Sequence, residues 1–245
     1  MAEKSSIEWT DATWNPVRGC TKVSPGCKFC YAETFAMRFE GVPNHPYEAG
    51  FALRLVPEKL EEPLKWRKPR RVFVNSMSDL FHQRVPSDYI RQVFDVMLRS
   101  EQHTFQLLTK RVDRALRLSQ TLPWPENVWM GVSVENVDYL ERAVALADVP
   151  AAVRFISAEP LLGPLASLPL RGIHWVIVGG ESGRQARPMQ IDWAREIRDQ
   201  CRARGVAFFL KQLGGRASKR GGDDALLDGR RHIEYPVRQS SILPA

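Results

Sequence analysis

The chain has 245 residues, 44% of them apolar and 26% charged, with 35 Lys and Arg against 28 Asp and Glu for a formal net charge of +7. This balance excludes a disordered or fibrous chain and suits one large domain or two small ones. The longest nearly apolar stretch, Ile173 to Gly180, is far shorter than the roughly 20 residues a membrane helix needs. The opening residues carry no basic-then-apolar leader, so a cytoplasmic protein without a membrane span is expected. The basic excess admits an anionic partner such as nucleic acid. Two clusters stand out: Lys65, Arg67, Lys68, Arg70 and Arg71, and then Arg216, Lys219, Arg220, Arg230 and Arg231. Each reads equally well as a phosphate-contacting patch or as solvated surface.

In chain order, a first strand is expected near Ile7 or Trp14, followed by the most informative segment. Cys20, Cys27 and Cys30 fall within eleven residues, whereas the fourth cysteine, Cys201, stands alone. In a reducing cytosol such a cluster holds metal more readily than it forms disulfides. Structural zinc wants a fourth sulfur or imidazole, and the nearest histidine in sequence is His45. Three thiolates therefore leave one position open, as a 4Fe-4S cluster that binds a further ligand requires. Zinc and incidental thiols remain the alternatives.

A helix is expected over Tyr31 to Phe39, where Phe35 and Phe39 share a face. Gly41 to Pro69 carries five prolines and reads as an irregular excursion. Strand and helix then alternate. The strands are Arg71 to Ser76, Thr104 to Thr109, Val128 to Val134, Val153 to Ser157, His174 to Val178 and Ala207 to Lys211. The helices are Ser87 to Ser100, Val112 to Leu118, Val137 to Ala147 and Asp192 to Arg204. This alternation predicts an α/β fold, a full or partial (β/α) barrel of six or seven parallel strands over residues 1–213. An open doubly wound sheet is the rival. Residues 214–245 read as a basic, glycine-rich extension, a mobile loop and tail with a lid or phosphate clamp as the functional alternative.

Polar residues follow every predicted strand. They are Asn75, Ser76, Ser78 and Asp79, then Thr109 and Lys110, Ser133 and Glu135, Ser157 and Glu159, Glu181 and Ser182, and Lys211 and Gln212. In parallel barrels these positions converge on one rim, and converging charges are costly to desolvate unless a ligand meets them. Gly179 and Gly180 permit close approach of backbone to a ligand, without forming a dinucleotide fingerprint.

The two-residue gap from Cys27 to Cys30, with Phe29 before the last cysteine, resembles the radical S-adenosylmethionine (SAM) enzymes, although the six-residue first gap is longer than their usual pattern. The cysteine loop also stands in order with Asn75-Ser-Met-Ser-Asp-Leu-Phe-His, Leu108-Thr-Lys-Arg, Gly131-Val-Ser-Val-Glu, Ser157-Ala-Glu-Pro-Leu-Leu-Gly-Pro, Gly179-Gly-Glu-Ser-Gly and Lys211-Gln-Leu-Gly. Together they resemble a phage-associated family named for its three-cysteine motif, a divergent radical-SAM-like group. The resemblance implies a 4Fe-4S cluster on Cys20, Cys27 and Cys30, with S-adenosylmethionine on the spared iron and Phe29 near its adenine. It also implies an electron donor such as flavodoxin or ferredoxin, and a nucleic acid or nucleotide substrate that is modified or repaired. Strand order then places Asn75, Ser78, Asp79, Ser133 and Glu135 toward the cofactor, Asp79 taking its ammonium and Ser133 or Glu135 its ribose. Glu159, Glu181 and Lys211 are left for the substrate. Two other readings stand beside this one: a barrel hydrolase with paired glutamates, and a zinc-stabilised nucleic-acid-binding protein with stacking aromatics such as Trp9, Trp14 and Trp66. Oligomeric state is not legible.

Overall fold

The computed structural model describes residues 5–215 and 225–236. Strand β1 (Ala12–Trp14) leads into a short hairpin of β2 (Val17–Arg18) and β3 (Arg54–Leu55), with α1 (Tyr31–Ala36) between them. Then follow β4 (Arg71–Val74), α2 (Ser87–Arg99), β5 (Thr104–Thr109), α3 (Val112–Ser119), β6 (Val128–Ser133) and α4 (Leu140–Leu146). The series ends with β7 (Val153–Ala158), β8 (Trp175–Gly179), α5 (Ile191–Arg204), β9 (Ala207–Gln212) and a hairpin of β10 (Leu226–Leu227) and β11 (Arg230–Arg231).

Seven strands form one all-parallel sheet in the order β1-β4-β5-β6-β7-β8-β9. The order never reverses, so the sheet has no topological switch point, and the doubly wound alternative does not hold. The strands curl into a half-barrel, an α/β fold of the partial (β/α) barrel kind. Period-two alternation divides the core. Val72, Phe105, Leu107, Met130, Ile156, Val176 and Phe208 belong to the large cluster that also takes Ile90, Val93, Phe94 and Met97 of α2. The alternate residues Phe73, Trp129, Phe155, Trp175, Ile177 and Phe209 join Trp9 in a second, largely aromatic cluster inside the curl. Burying each such side chain contributes about 1.5–3 kcal/mol, which fixes strand register.

The expected helix from Val137 begins as a 3-10 turn, because the Asn136 side chain accepts the Asp138 amide N–H and caps the chain there. Likewise Met37–Phe39 is a 3-10 continuation of α1, and the proline-rich excursion holds two 3-10 turns besides β3. The C-terminal segment packs back on the sheet: Leu210 donates to His232 O, Glu234 donates to Phe208 O, and Trp175 Nε1 donates to Glu234 O at 2.8 Å. Residues 216–224 and 237–245, including Arg216, Lys219 and Arg220 and most of the expected extension, lie outside the described residues. Among the described residues no helix is long and apolar enough to cross a membrane.

Candidate functional site

The cysteine loop is built onto the carboxyl ends of the strands. At its start Gly19 has φ +78°, its N–H donates to Met77 O, and a Cβ there would sit 2.2 Å from Ala52 O. Only glycine fits so close an approach in that conformation. Pro25–Cys27 form a 3-10 turn, and Cys30 stands at the N-cap of α1.

Three ion-paired rim residues hold this loop down. Arg111, just after β5, donates to Asp79 Oδ2 at 2.8 Å, to Thr21 O at 2.9 Å and to Cys20 Sγ at 3.5 Å. Glu135, after β6, receives Lys110 Nζ at 2.8 Å, Arg142 Nη1 at 3.0 Å and the Ser24 hydroxyl at 2.5 Å. Arg187 grips Glu181 through Nε at 2.9 Å and Nη2 at 2.6 Å, and the same Nη2 donates to Pro25 O at 2.9 Å. Burial pushes Glu135 up, but Lys110, Ser24 and Arg142 outweigh it and hold its carboxyl below the usual range. Glu181 behaves alike, burial being outweighed by the Arg187 bonds. Burial, reinforced by Asp79, pushes the Cys20 thiol up against the opposing pull of Arg111. Burial does the same to Cys30, opposed by the N–H groups of Glu33 and Ala32.

Beneath the loop lies a cavity of about 660 Å³. Cys20, Cys27, Phe29 and Cys30 line it from the loop side; Asn75, Ser78, Asp79, Ser133, Glu159, Glu181 and Lys211 line it from the strand ends. Of the residues assigned above to cluster, cofactor or substrate, Glu135 alone does not line it. Its side chain is 0% exposed, and it stands behind the loop with its oxygens engaged by protein donors. Asp79 faces the cavity, yet Thr109, Phe81 N and Arg111 occupy its carboxylate. Lys211 Nζ meets Glu159 Oε1 at 2.7 Å, with Ser157 donating to the other oxygen at 3.3 Å. Ser78 spends its hydroxyl on Val17 O at 2.7 Å. The Phe29 ring carries Lys28 at 5.2 Å and Arg187 at 5.5 Å from its centroid.

The glycine pair is explained by packing. A Cβ on Gly179 would meet Glu159 Oε1 at 2.4 Å, and one on Gly180 would meet Leu213 O at 2.3 Å. The pair makes room for a side chain and a neighbouring loop of the protein itself. The first basic cluster falls away from the site: Lys65 to Arg70 precede β4 and Arg71 opens it, which puts that run at the amino ends of the strands, opposite the thiols. Of the second cluster, Arg231 pairs with Glu8 ahead of β1. Ser24, Thr21, Arg142 and Arg187 were not singled out as site residues. Thr21 and Ser24 meet partners 90 and 111 residues away, Arg111 and Glu135, whereas Arg142 and Arg187 lie seven and six residues beyond Glu135 and Glu181; no periodicity marks either kind of pair.

Among the described residues no three His, Cys, Asp or Glu side chains stand in a group ready for a metal ion. The donor set is nonetheless selective. Three thiols of one loop line one cavity, Cys27 lies within electrostatic reach of Cys30, and no histidine is among the described lining residues. His82 is engaged with Thr21 Oγ1 at 2.9 Å. Cys201 is buried in the core beside α5, where burial pushes its thiol up to about 12.

Fold and site define a partial (β/α)-barrel protein with a thiol-lined cavity at the carboxyl ends of its strands. The chain belongs to the family described as "Protein of unknown function (DUF5131)", whose model matches residues 4–236. No curated protein and no solved structure matches the chain.

Proposed function

We propose that the chain is a radical SAM-type enzyme that modifies or repairs a nucleic acid or nucleotide. The observation that carries this reading is the convergence of Cys20, Cys27 and Cys30 on one cavity at the catalytic face of a (β/α) half-barrel. Three sulfurs without an imidazole suit an iron-sulfur cluster with one free vertex better than closed tetrahedral zinc. When bound and reduced by a flavodoxin- or ferredoxin-class donor, a 4Fe-4S cluster with S-adenosylmethionine supplies a 5′-deoxyadenosyl radical.

The chain's own residues do the rest. Arg111, Glu135 and Arg187 anchor the loop and fix where its thiols point. Cys20, which Arg111 contacts at 3.5 Å, would be one of the three thiols that hold such a cluster. Asp79, with its oxygens already engaged, serves as the base on which Arg111 is held. Asn75, Ser133, Glu159 and Lys211 present polar groups to whatever fills the cavity, and Phe29, Phe73 and Trp9 present flat apolar surface. The basic excess of the chain favours an anionic substrate. A hydrolase with paired glutamates is disfavoured, since protein donors already hold the carboxylates of Glu135, Glu159 and Glu181.

Anaerobic reconstitution with iron and sulfide tests the reading. The wild-type chain and Cys201→Ala should take up about four irons each, while Cys20→Ala, Cys27→Ala and Cys30→Ala should not. The reduced protein should release 5′-deoxyadenosine from S-adenosylmethionine. Stoichiometric zinc with no iron uptake would overturn the proposal.

A further inference from the structure

Asn75 follows β4 with φ +60°, a left-handed conformation that costs a non-glycine residue about 1–2 kcal/mol. Glycine would hold the same turn at lower cost, so the side chain has work of its own. Half of that work is visible: Oδ1 accepts the Val17 N–H at 3.2 Å. Because Val17 N–H is a donor, the amide orientation is fixed by its partner and Nδ2 faces elsewhere. That nitrogen is buried and has no hydrogen-bond partner, on a residue that is 3% exposed and lines the cavity. An unspent buried amide donor costs about 1–3 kcal/mol, a penalty that a ligand acceptor removes.

The rest of the wall says what kind of ligand brings that acceptor. The charges on it are already matched within the protein: Asp79 with Arg111, Glu159 with Lys211, Glu181 with Arg187, and Lys110 with Glu135. Between these pairs lie aromatic faces, Trp9 and Phe73 below and Phe29, Phe35 and Tyr47 toward the mouth. The volume suits a ligand of nucleoside size rather than a metabolite of a few atoms. The cavity thus offers flat apolar surface and unspent neutral donors, Asn75 Nδ2 and the Trp9 indole N–H, which selects a planar ring with acceptors on its edge and disfavours a polyphosphate.

We propose that Asn75 reads a nucleobase: its Nδ2 amide donates a hydrogen bond to an acceptor atom on the edge of a base stacked within the cavity. The inference rests on the nucleotide or nucleic acid reading of the site and names the residue and atom that carry recognition. The base can come from two sources, the adenine of S-adenosylmethionine or a base of the substrate, and the probes separate them.

The full chain is titrated, as purified and after reconstitution, with S-adenosylmethionine, adenosine, thymidine and 2-deoxyribose 5-phosphate, using calorimetry or saturation-transfer NMR. The three base-bearing probes are set against the baseless sugar phosphate. Asn75→Asp keeps the left-handed turn and the acceptor for Val17 but removes the donor; Asn75→Gly keeps the turn and adds no charge. In whichever variant retains the wild-type melting temperature, at least one base-bearing probe should bind about tenfold more weakly, about 1.4 kcal/mol. Loss confined to S-adenosylmethionine and adenosine assigns the contact to the cofactor's adenine, and loss for thymidine assigns it to the substrate base; either supports the proposal. Unchanged affinity for all probes, no binding of any base-bearing probe by the wild type, or equal weakening of the baseless sugar phosphate overturns it. Titration of the as-purified chain needs neither iron nor reductant, so a failed reconstitution refutes the radical reading and leaves this result standing.

Discussion

The Ser24 hydroxyl, in the loop between the first two cysteines, donates to the Glu135 carboxylate at 2.5 Å across 111 residues of chain. Gly26 lies against the same carboxylate, with no room for a Cβ, since one would sit 2.5 Å from Oε1. The carboxylate cannot swing aside, because Lys110 and Arg142 also hold it. Replacing Glu135 by Gln leaves two cations short of a counter-charge in a buried place, a loss of about 3 kcal/mol. For a chain of this size the melting temperature should fall by roughly 6–12 °C in a calorimetric scan. A shift below about 2 °C would show that the carboxylate does not hold the loop.

Acid should destabilise the protein in two stages. His82, His103 and His174 are all held below the usual histidine value, burial being the leading cause in each. The unfolded chain therefore binds their protons first, and stability declines as pH falls through about 6.5. Glu135 and Glu181 are also held low, so their contribution is complete above the ordinary carboxylate value and is lost as pH falls below about 4.5 toward their native values. Urea unfolding between pH 8 and pH 3 should show both limbs. Glu135→Gln should shallow only the lower one; an unchanged lower limb in that variant would contradict the assignment.

Gly19 and Gly41 both have positive φ, +78° and +75°, but a Cβ on Gly41 meets nothing within 4 Å. Gly41→Ala should therefore cost only the conformational term, about 1–2 kcal/mol. Gly19→Ala adds a collision with the Ala52 carbonyl and should cost clearly more, displacing the start of the cysteine loop. Equal losses in denaturant titrations would mean that the segment at Ala52 yields freely.

Arg187 joins the loop to the rim through a single guanidinium that spans Glu181 and Pro25 O. Arg187→Ala should raise hydrogen exchange at the Cys27 and Lys28 amides by about fivefold, the scale of a partly exposed ion pair. Arg187→Lys should fall between, since a lysine cannot serve both acceptors in that geometry. Unaltered exchange in the alanine variant would show that the turn from Pro25 stands by itself.

Much of the scaffold was legible because burial writes a period into the chain. Thr104–Thr109 is a strand over its whole expected length, and the other long strands differ by one or two residues at an end. The two-residue strands β2 and β3 left no such trace, lying in or beside segments rich in proline. At the site, residue type was readable but pairing was not. Asp79, Glu135 and Glu181 were foreseen at the strand ends as groups awaiting a ligand, whereas Arg111, Arg142 and Arg187 meet them in the folded chain. Arg111 reaches Asp79 from 32 residues away because two loops converge, and Arg142 and Arg187 reach Glu135 and Glu181 from seven and six residues on, across spacings that no single element spans. The Lys65 to Arg71 run illustrates the converse: composition gave its charge correctly, while only the strand direction reveals that it sits at the opposite pole from the thiols.

Tyr235 packs against Trp175 at 5.2 Å between centroids, its hydroxyl donates to Glu8 O, and the Arg71 guanidinium lies 4.4 Å above its ring. The tail thus acts as a stopper beneath the aromatic floor, tied to the head of the chain. Shortening the protein ahead of Tyr235 would uncork the curl from below and wet the indoles that shape the chamber above, so an appended tag belongs after residue 236 and a truncation does not belong before it.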